Sequence, residues 1–268
     1  MILHPELRVL PLRTPTLPPA THTNCYLLGR GAVTVIDPAS PWPEEQERLF
    51  EALRYEPVER IFLTHHHQDH VGGAVDIARR LGVPIAAHRR TAALLEGQVP
   101  VQQHFDEGDV LATDNGRWTC WHTPGHASGH LCLVDVERRA VVAGDMVAGE
   151  GTIVLDPPEG ELGKYLESLE RLRALDPTVL FPAHGPDLRA ATAVLDYYIA
   201  HRHLRTDSVR AALQALGEAE IPAIVEAVYG DTIPEMVKPV AARQVLCHLL
   251  WLRERGELRQ GEPWALLG

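Results

Sequence analysis

No part of this chain constrains its fold more than Thr64-His65-His66-His67-Gln68-Asp69-His70. Four histidines and an aspartate stand directly after Arg60-Ile61-Phe62-Leu63, whose apolar residues read as a buried strand ending in a loop. In the extended part of such a loop, side chains two apart project to the same side. His65 and His67 can therefore grip one cation together. Asp69 and His70 follow as the loop turns and can face a second. Imidazole nitrogen with carboxylate oxygen suits zinc and similar divalent metals. A solvated loop gains nothing from so much imidazole. Asp69 and the adjoining strand also exclude a purification tag.

The spacing His-x-His-x-Asp-His resembles the hallmark loop of the metallo-β-lactamase-fold hydrolases. That resemblance implies a lone His, a lone Asp and a further His as the remaining ligands, in that order. The sequence has each one at the end of a strand-like run, beside a Gly or Pro turn. They are His126 in Thr123-Pro124-Gly125-His126, Asp145 after Ala143-Gly144, and His184 in Phe181-Pro182-Ala183-His184-Gly185. Residue by residue, the resemblance implies that His65, His67 and His126 hold a first metal. Asp69, His70 and His184 hold a second, and Asp145 bridges both. It also implies an α+β fold, the four-layer αβ/βα sandwich, and two divalent metal ions as cofactor, zinc first, with manganese and iron left open. Alone, His126 would read as a core histidine. Agreement of several segments in type and order argues against that reading.

The chemistry can be stated without the family. Two cations close together lower the pKa of a shared water and give hydroxide at neutral pH. Asp69 is the expected catalytic residue, binding metal and orienting the hydroxide. No serine or cysteine nucleophile is required. Gly125, Gly144 and Gly185 fit tight turns where backbone approaches a site closely. Alternation points His66 away from the metals. His130 is expected near the cavity in an ordinary hydrogen bond. His4, His22, His88, His104, His122, His201, His203 and His248 are assigned no part in the chemistry.

Composition narrows the partners. A net charge of −11 argues against bulk polyanion binding. The four cysteines are isolated and show no CxxC pair, so no disulfide framework is expected. The start Met1-Ile2-Leu3-His4-Pro5-Glu6 lacks the basic and apolar segments of a signal peptide, and no stretch approaches a membrane span. The expected location is the cytoplasm, with a small-molecule substrate and no membrane partner. A homo-oligomer is left open.

Two parts are expected: a catalytic domain over residues 1–189 and a small C-terminal all-helical winged-helix-like domain over 190–268. In the first, helices are predicted at Gln46 to Arg54, Gly73 to Leu81 and Leu162 to Leu175. In the second, a helix over Leu188 to His203 is followed by another capped by Thr206 or Asp207. A short helix ends at Val228. A last helix over Ala241 to Arg255 stops at Gly256 and leads to a wing at Glu257-Leu258-Arg259. Residues 190–268 hold eight Lys and Arg against ten Asp and Glu, which favours a packing role over a nucleic-acid grip.

The whole chain is similar to the beta-lactamase-like protein 2 branch of the superfamily. Thr23-Asn24-Cys25-Tyr26-Leu27, Gly149-Glu150-Gly151-Thr152, Tyr165 to Leu169, His201-Arg202 and Ile224 to Gly230 carry that likeness. One departure is Asp37-Pro38-Ala39-Ser40, where the wider family often has Asp-Thr-Gly. It bears on the local turn and on no metal ligand. The leading expectation is a dinuclear metal-dependent hydrolase that uses a metal-bridging hydroxide on an ester, thioester or related bond. The alternative is an endoribonuclease or phosphodiesterase acting on single-stranded RNA, which the resemblance implies for a eukaryotic branch. A non-enzymatic metal scaffold fits the complete ligand set poorly. Antibiotic hydrolysis is disfavoured, since lactamases of this superfamily usually have Cys where Asp145 stands.

Overall fold

The computed structural model describes residues 4–114, 116–259, 261 and 263–267. Its first sheet runs β1 (Leu7–Arg13), β2 (His22–Leu28), β3 (Val33–Ile36), β4 (Val58–Leu63), β5 (Ile85–Ala87) and β6 (Gln103–His104), in that spatial order. The first three strands pair antiparallel, and β3 through β6 pair parallel. The second sheet has the order β11-β10-β9-β8-β7. These strands are β7 (Val110–Thr113), β8 (Gly116–His122), β9 (Leu131–Asp135), β10 (Ala140–Gly144) and β11 (Val179–Pro182).

Both faces of each sheet are covered, so the central strands are apolar runs with little alternation in polarity. The pleat still sorts side chains by face. In β4, Phe62 turns to the other sheet while Ile61 and Leu63 turn to helices. In β10, Val142 faces inward while Val141 and Ala143 face outward. Phe62, Tyr26, Trp118, Leu133 and Phe181 fill the space between the sheets. Helices α1 (Pro43–Ala52) and α3 (Ala74–Leu81) cover the outer face of the first sheet through Leu49 and Ile77. The short α2 (Gln68–Val71) and α4 (Arg89–Leu94) follow β4 and β5. Helix α5 (Leu162–Ala174) covers the second sheet with Leu162, Leu166, Leu169 and Leu172, the stripe the sequence predicted. The result is the four-layer αβ/βα sandwich.

The tail differs from expectation at one joint. Instead of two helices broken near Thr206, a single α6 runs over Ala191–Leu216, about 39 Å at the usual rise. Thr206 does not cap. It is buried, its hydroxyl donates back to the Arg202 carbonyl at 3.0 Å, and it also bonds His248 Nδ1 at 2.7 Å. The N-terminal half of α6 packs on the sandwich through Ala191, Leu195 and Tyr198. Its C-terminal half joins a separate cluster through Val209 and Leu213, with Ile224 of α7 (Ile221–Tyr229) and Val245, Leu249 and Leu252 of α8 (Lys238–Glu254). The wing is a ribbon of β12 (Glu218–Ala219) with β13 (Trp264–Ala265). Leu258, expected in the wing, forms a single bridge to Leu266.

Candidate metal centre

Four chain segments meet at one edge of the sandwich. The loop after β4 carries His65 and His67, and its turn into α2 carries Asp69 and His70. His126 follows Gly125 beyond β8, Asp145 follows Gly144 at the end of β10, and His184 lies just past β11. All three glycines beside the site have positive φ: +131° at Gly125, +49° at Gly144 and +81° at Gly185. A Cβ on Gly144 would stand 2.5 Å from His130 Nε2, and one on Gly125 would stand 2.3 Å from the Tyr165 backbone. Both turns therefore need glycine.

The structure brings all seven sequence-predicted residues together. His65, His67 and His126 form one group of possible ligand atoms, and Asp69, His70 and His184 form another. Asp145 lies between them. Its Oδ2 is 3.4 Å from His126 Nε2, and its Oδ1 is 3.5 Å from both His70 Nε2 and His184 Nε2. Asp69 Oδ2 is 3.5 Å from His184 Nε2.

The outward partners of the rings decide which nitrogens face inward. His126 Nδ1 lies 2.8 Å from the Val154 carbonyl and His184 Nδ1 lies 3.0 Å from the His22 carbonyl. Carbonyl oxygens only accept, so both Nδ1 atoms carry the proton. His70 Nδ1 donates to Asp37 Oδ2 at 2.8 Å. The Thr64 hydroxyl donates to the same oxygen at 2.6 Å and so accepts from His65 Nδ1 at 3.0 Å. In their neutral forms all four rings then turn a bare Nε2 inward. His65 Nε2 and His126 Nε2 lie 3.2 Å apart, and His67 Nδ1 is 3.0 and 2.9 Å from them. Two lone pairs at that distance repel unless a cation sits between them. The three separations are close to the ~3.3 Å edge of a tetrahedral zinc–imidazole site. His70 Nε2 and Asp145 Oδ1 are buried without hydrogen-bond partners among the described residues. This donor set fits a pair of divalent cations, with outer acceptors fixing each ring.

Electrostatics agree with the geometry. Burial pushes the imidazole of His65 well down and that of His126 to about 4, so both are neutral near pH 7. Burial also lowers His67. Burial works against a charged His70 too, but the Asp145 and Asp37 carboxylates raise it well above its ordinary value. Burial likewise opposes ionisation of Asp145, yet His70 and His184 hold it well below the usual carboxylate range. A proton on His70 is what a metal would displace.

Three positioning groups were not assigned from the sequence. Asp37, at φ +47°, holds Thr64 through its backbone N–H at 2.8 Å and through its hydroxyl, and orients His70. Its signal was available, because it closes the apolar run Val33–Ile36 as Asp145 closes β10. His130, fully buried, accepts from the Asp145 backbone N–H at 3.1 Å and bonds Thr123 at 2.8 Å. The strap 153–155 holds His126 and is held in turn by α6 and α8. Arg202 donates to the Ile153 carbonyl at 2.6 Å, and Gln244 bonds Leu155 at both N and O. His66 is half-buried, and burial pushes it down to about 4. The other histidines take structural roles where contacts are seen. His88 stacks on His122 at 4.4 Å, and His4 bonds Asp135 at 3.0 Å.

Comparison with known proteins agrees with the fold. The sequence profile of the Metallo-beta-lactamase superfamily matches residues 18–184. The chain belongs to that superfamily, whose members are typically hydrolases. The profile of the Beta-lactamase associated winged helix domain matches residues 221–264. Similar relatives include the "Beta-lactamase-like protein 2 homolog" of Drosophila melanogaster, 30% identical over 88% of this chain and 84% of that protein. The Caenorhabditis elegans protein of the same name is 32% identical over 83% of this chain and 76% of its own length. The "Atrochrysone carboxyl ACP thioesterase" of Emericella nidulans is 29% identical over 85% of this chain and 73% of that protein. A Burkholderia ambifaria beta-lactamase domain protein shares the fold, with TM-score 0.87, 23% identity, and coverage of 100% of this chain and 93% of its own. TTHA1623 in a di-iron-bound form is 30% identical, with TM-score 0.57, over 69% of this chain and 96% of its own.

Proposed function

We propose that the protein is a dinuclear metal-dependent hydrolase of an ester, thioester or related acyl bond. Residues 1–189 carry the chemistry and residues 190–268 brace it. The observation that carries this reading is the pair of ligand groups joined by the two oxygens of Asp145. His65, His67 and His126 would hold one cation, and Asp69, His70 and His184 the other. Zinc suits the nitrogen-rich group, and iron is the metal of one structural neighbour. Bound there, the two cations would acidify a shared water and polarise the electrophilic oxygen of the substrate. Asp69, whose side chain is 20% exposed, stands at the open side of the cluster, where it can orient that water. Asp37 and His130 keep His70 and Asp145 in place. The four cysteines are buried free thiols, which supports the reducing cytoplasm expected from the sequence. Among the described residues no helix is long and apolar enough to cross a membrane.

A small acyl substrate is preferred to RNA for two reasons. One relative is named a thioesterase. Two arginines of the helical unit are also engaged elsewhere: Arg202 is buried on the strap and Arg243 is paired with Asp156. The near-full-length likeness to beta-lactamase-like protein 2 homologues supports RNA as the second reading. The test is metal analysis followed by a screen of acyl thioesters, acyl esters, a chromogenic phosphodiester and short single-stranded RNA. Metal-dependent thioester or ester turnover exceeding phosphodiester cleavage supports the first reading. Salt-sensitive RNA cleavage without acyl turnover overturns it and promotes the second.

A further inference from the structure

Between the sandwich and the C-terminal helices lies a cavity of about 340 Å³, within the size range of small-molecule sites. One wall is Gly151 to Val154, which leads into the strap, and the others come from α6, α7, α8 and the segment between α7 and α8. None of the seven residues of the metal centre lines it, and among the described residues no aspartate or glutamate does. Two arginines do. Arg202 is only 4% exposed, and its hydrogen bonds go to neutral groups, the Ile153 carbonyl and the Gln244 amide oxygen. Its Nε has no hydrogen-bond partner among the described residues. Arg205 stacks on Tyr229, with its guanidinium carbon 4.5 Å from the ring centroid, and pairs with no carboxylate among the described residues.

This arrangement is unusual for the molecule. Elsewhere on the same helices several cations meet acids: Arg210 bonds Asp207 and Glu257, Arg243 bonds Asp156, and Lys238 bonds Glu226 and Glu235. The neighbouring cleft on the far side of α6 contains Glu167, Glu170 and Asp207 beside its arginines. A buried guanidinium without an anion is costly. Burial, and then the two arginines, push His248 down to about 3 and lower His201, so the histidines facing the cavity are neutral. A positive site with no acid among the described residues of its lining is therefore left facing solvent. Beside it stand a stacked pair, Tyr197 and His201, with ring centroids 5.9 Å apart, and the apolar side chain of Ile233. Tyr197 is 66% exposed.

We propose that this cavity binds a small organic anion with a planar ring. The phosphate or carboxylate head meets Arg205 in the field of Arg202, and the ring lies against Tyr197 and Ile233. Charge-assisted bonds to a guanidinium supply the head group's share of affinity, and stacking supplies the ring's.

The test titrates the full-length protein with 5′-AMP, benzoate and inorganic phosphate by calorimetry at constant ionic strength. Saturable 1:1 binding of AMP or benzoate is expected, with inorganic phosphate at least about tenfold weaker because it has no ring. AMP and benzoate together distinguish a phosphate head from a carboxylate. Arg205→Ala should weaken binding by at least about tenfold, the scale of one charge-assisted contact. Val237→Trp, at a 38% exposed rim position, should block the cavity while keeping both arginines. Melting curves check that the variants fold. Absence of saturable binding by any probe overturns the proposal. So does unchanged affinity in both variants, which would put the anion at the metal centre. Equal affinity for AMP and inorganic phosphate also overturns it, since the ring would then have no role.

Discussion

The metal-centre edge and the C-terminal helical unit are held together in opposite ways. At the edge, order comes from polar groups. Four imidazoles each tie one nitrogen to an outer acceptor and turn the other inward. In the C-terminal unit, order comes from an apolar cluster of Val209, Leu213, Ile224, Val245, Leu249, Leu252 and Trp264. The β-strands beneath the edge are already packed on both faces. The edge can therefore carry groups that gain little from folding and much from a cation. The helical unit has no such reserve beneath it. The two regions should fail differently when a single group is removed.

The largest effect is expected from Asp145→Ala. One carboxylate faces both ligand groups, so its loss should lower metal content at both and reduce hydrolysis to background. Elemental analysis with steady-state assays checks this, and full activity would end the dinuclear assignment. Next is Asp69→Asn, which keeps shape and removes charge. It should leave the melting temperature nearly unchanged and lower kcat by at least about a hundredfold, the scale of a positioned acid–base group. A kcat within a few-fold of the parent would make Asp69 structural.

The opposite pattern is expected from Leu249→Ala, at a fully buried position of α8. Truncating a buried leucine costs about 2–5 kcal/mol, so the melting temperature should fall by several degrees while metal per folded chain holds. Loss of metal in proportion to stability would show that the two regions form one cooperative unit through the strap.

The most gradual effect, spread over several pH units, concerns pH. His248 is buried, and its pKa falls to about 3 in the folded chain against about 6.5 when unfolded. Between those values the unfolded state binds the extra proton. The stability contribution is therefore complete above about pH 6.5 and is lost as pH drops towards 3, by up to about 1.4 kcal/mol per pH unit. Denaturant melts of the parent and His248→Gln across that window should diverge in slope. Parallel slopes would mean that His248 binds its proton equally in the folded and unfolded states.

Much of the site was legible because its signal is local. His65, His67, Asp69 and His70 share one loop, and His126, Asp145 and His184 each follow a strand-like run and a turn residue. The stripe of α5 was legible because helical period and burial coincide there. The break predicted near Thr206 failed because a threonine hydroxyl can cap a helix or bond back within one, and only the burial of His248 beside it decides which.

The sequence by itself determined which side chains could ligate a metal, their order along the chain, the layered fold and the superfamily. Residue chemistry and strand-and-turn periodicity are written locally. Tertiary structure alone decided which nitrogen of each histidine faces inward, since Asp37, Val154 and His22 reach the rings from distant segments. It also decided that α6 runs unbroken through both units, and that Arg202 lies buried with no acid paired to it among the described residues. A residue's charge can be read from sequence. Whether that charge is paired depends on what the folded chain places beside it, because electrostatic interaction is set by distance in space and by burial.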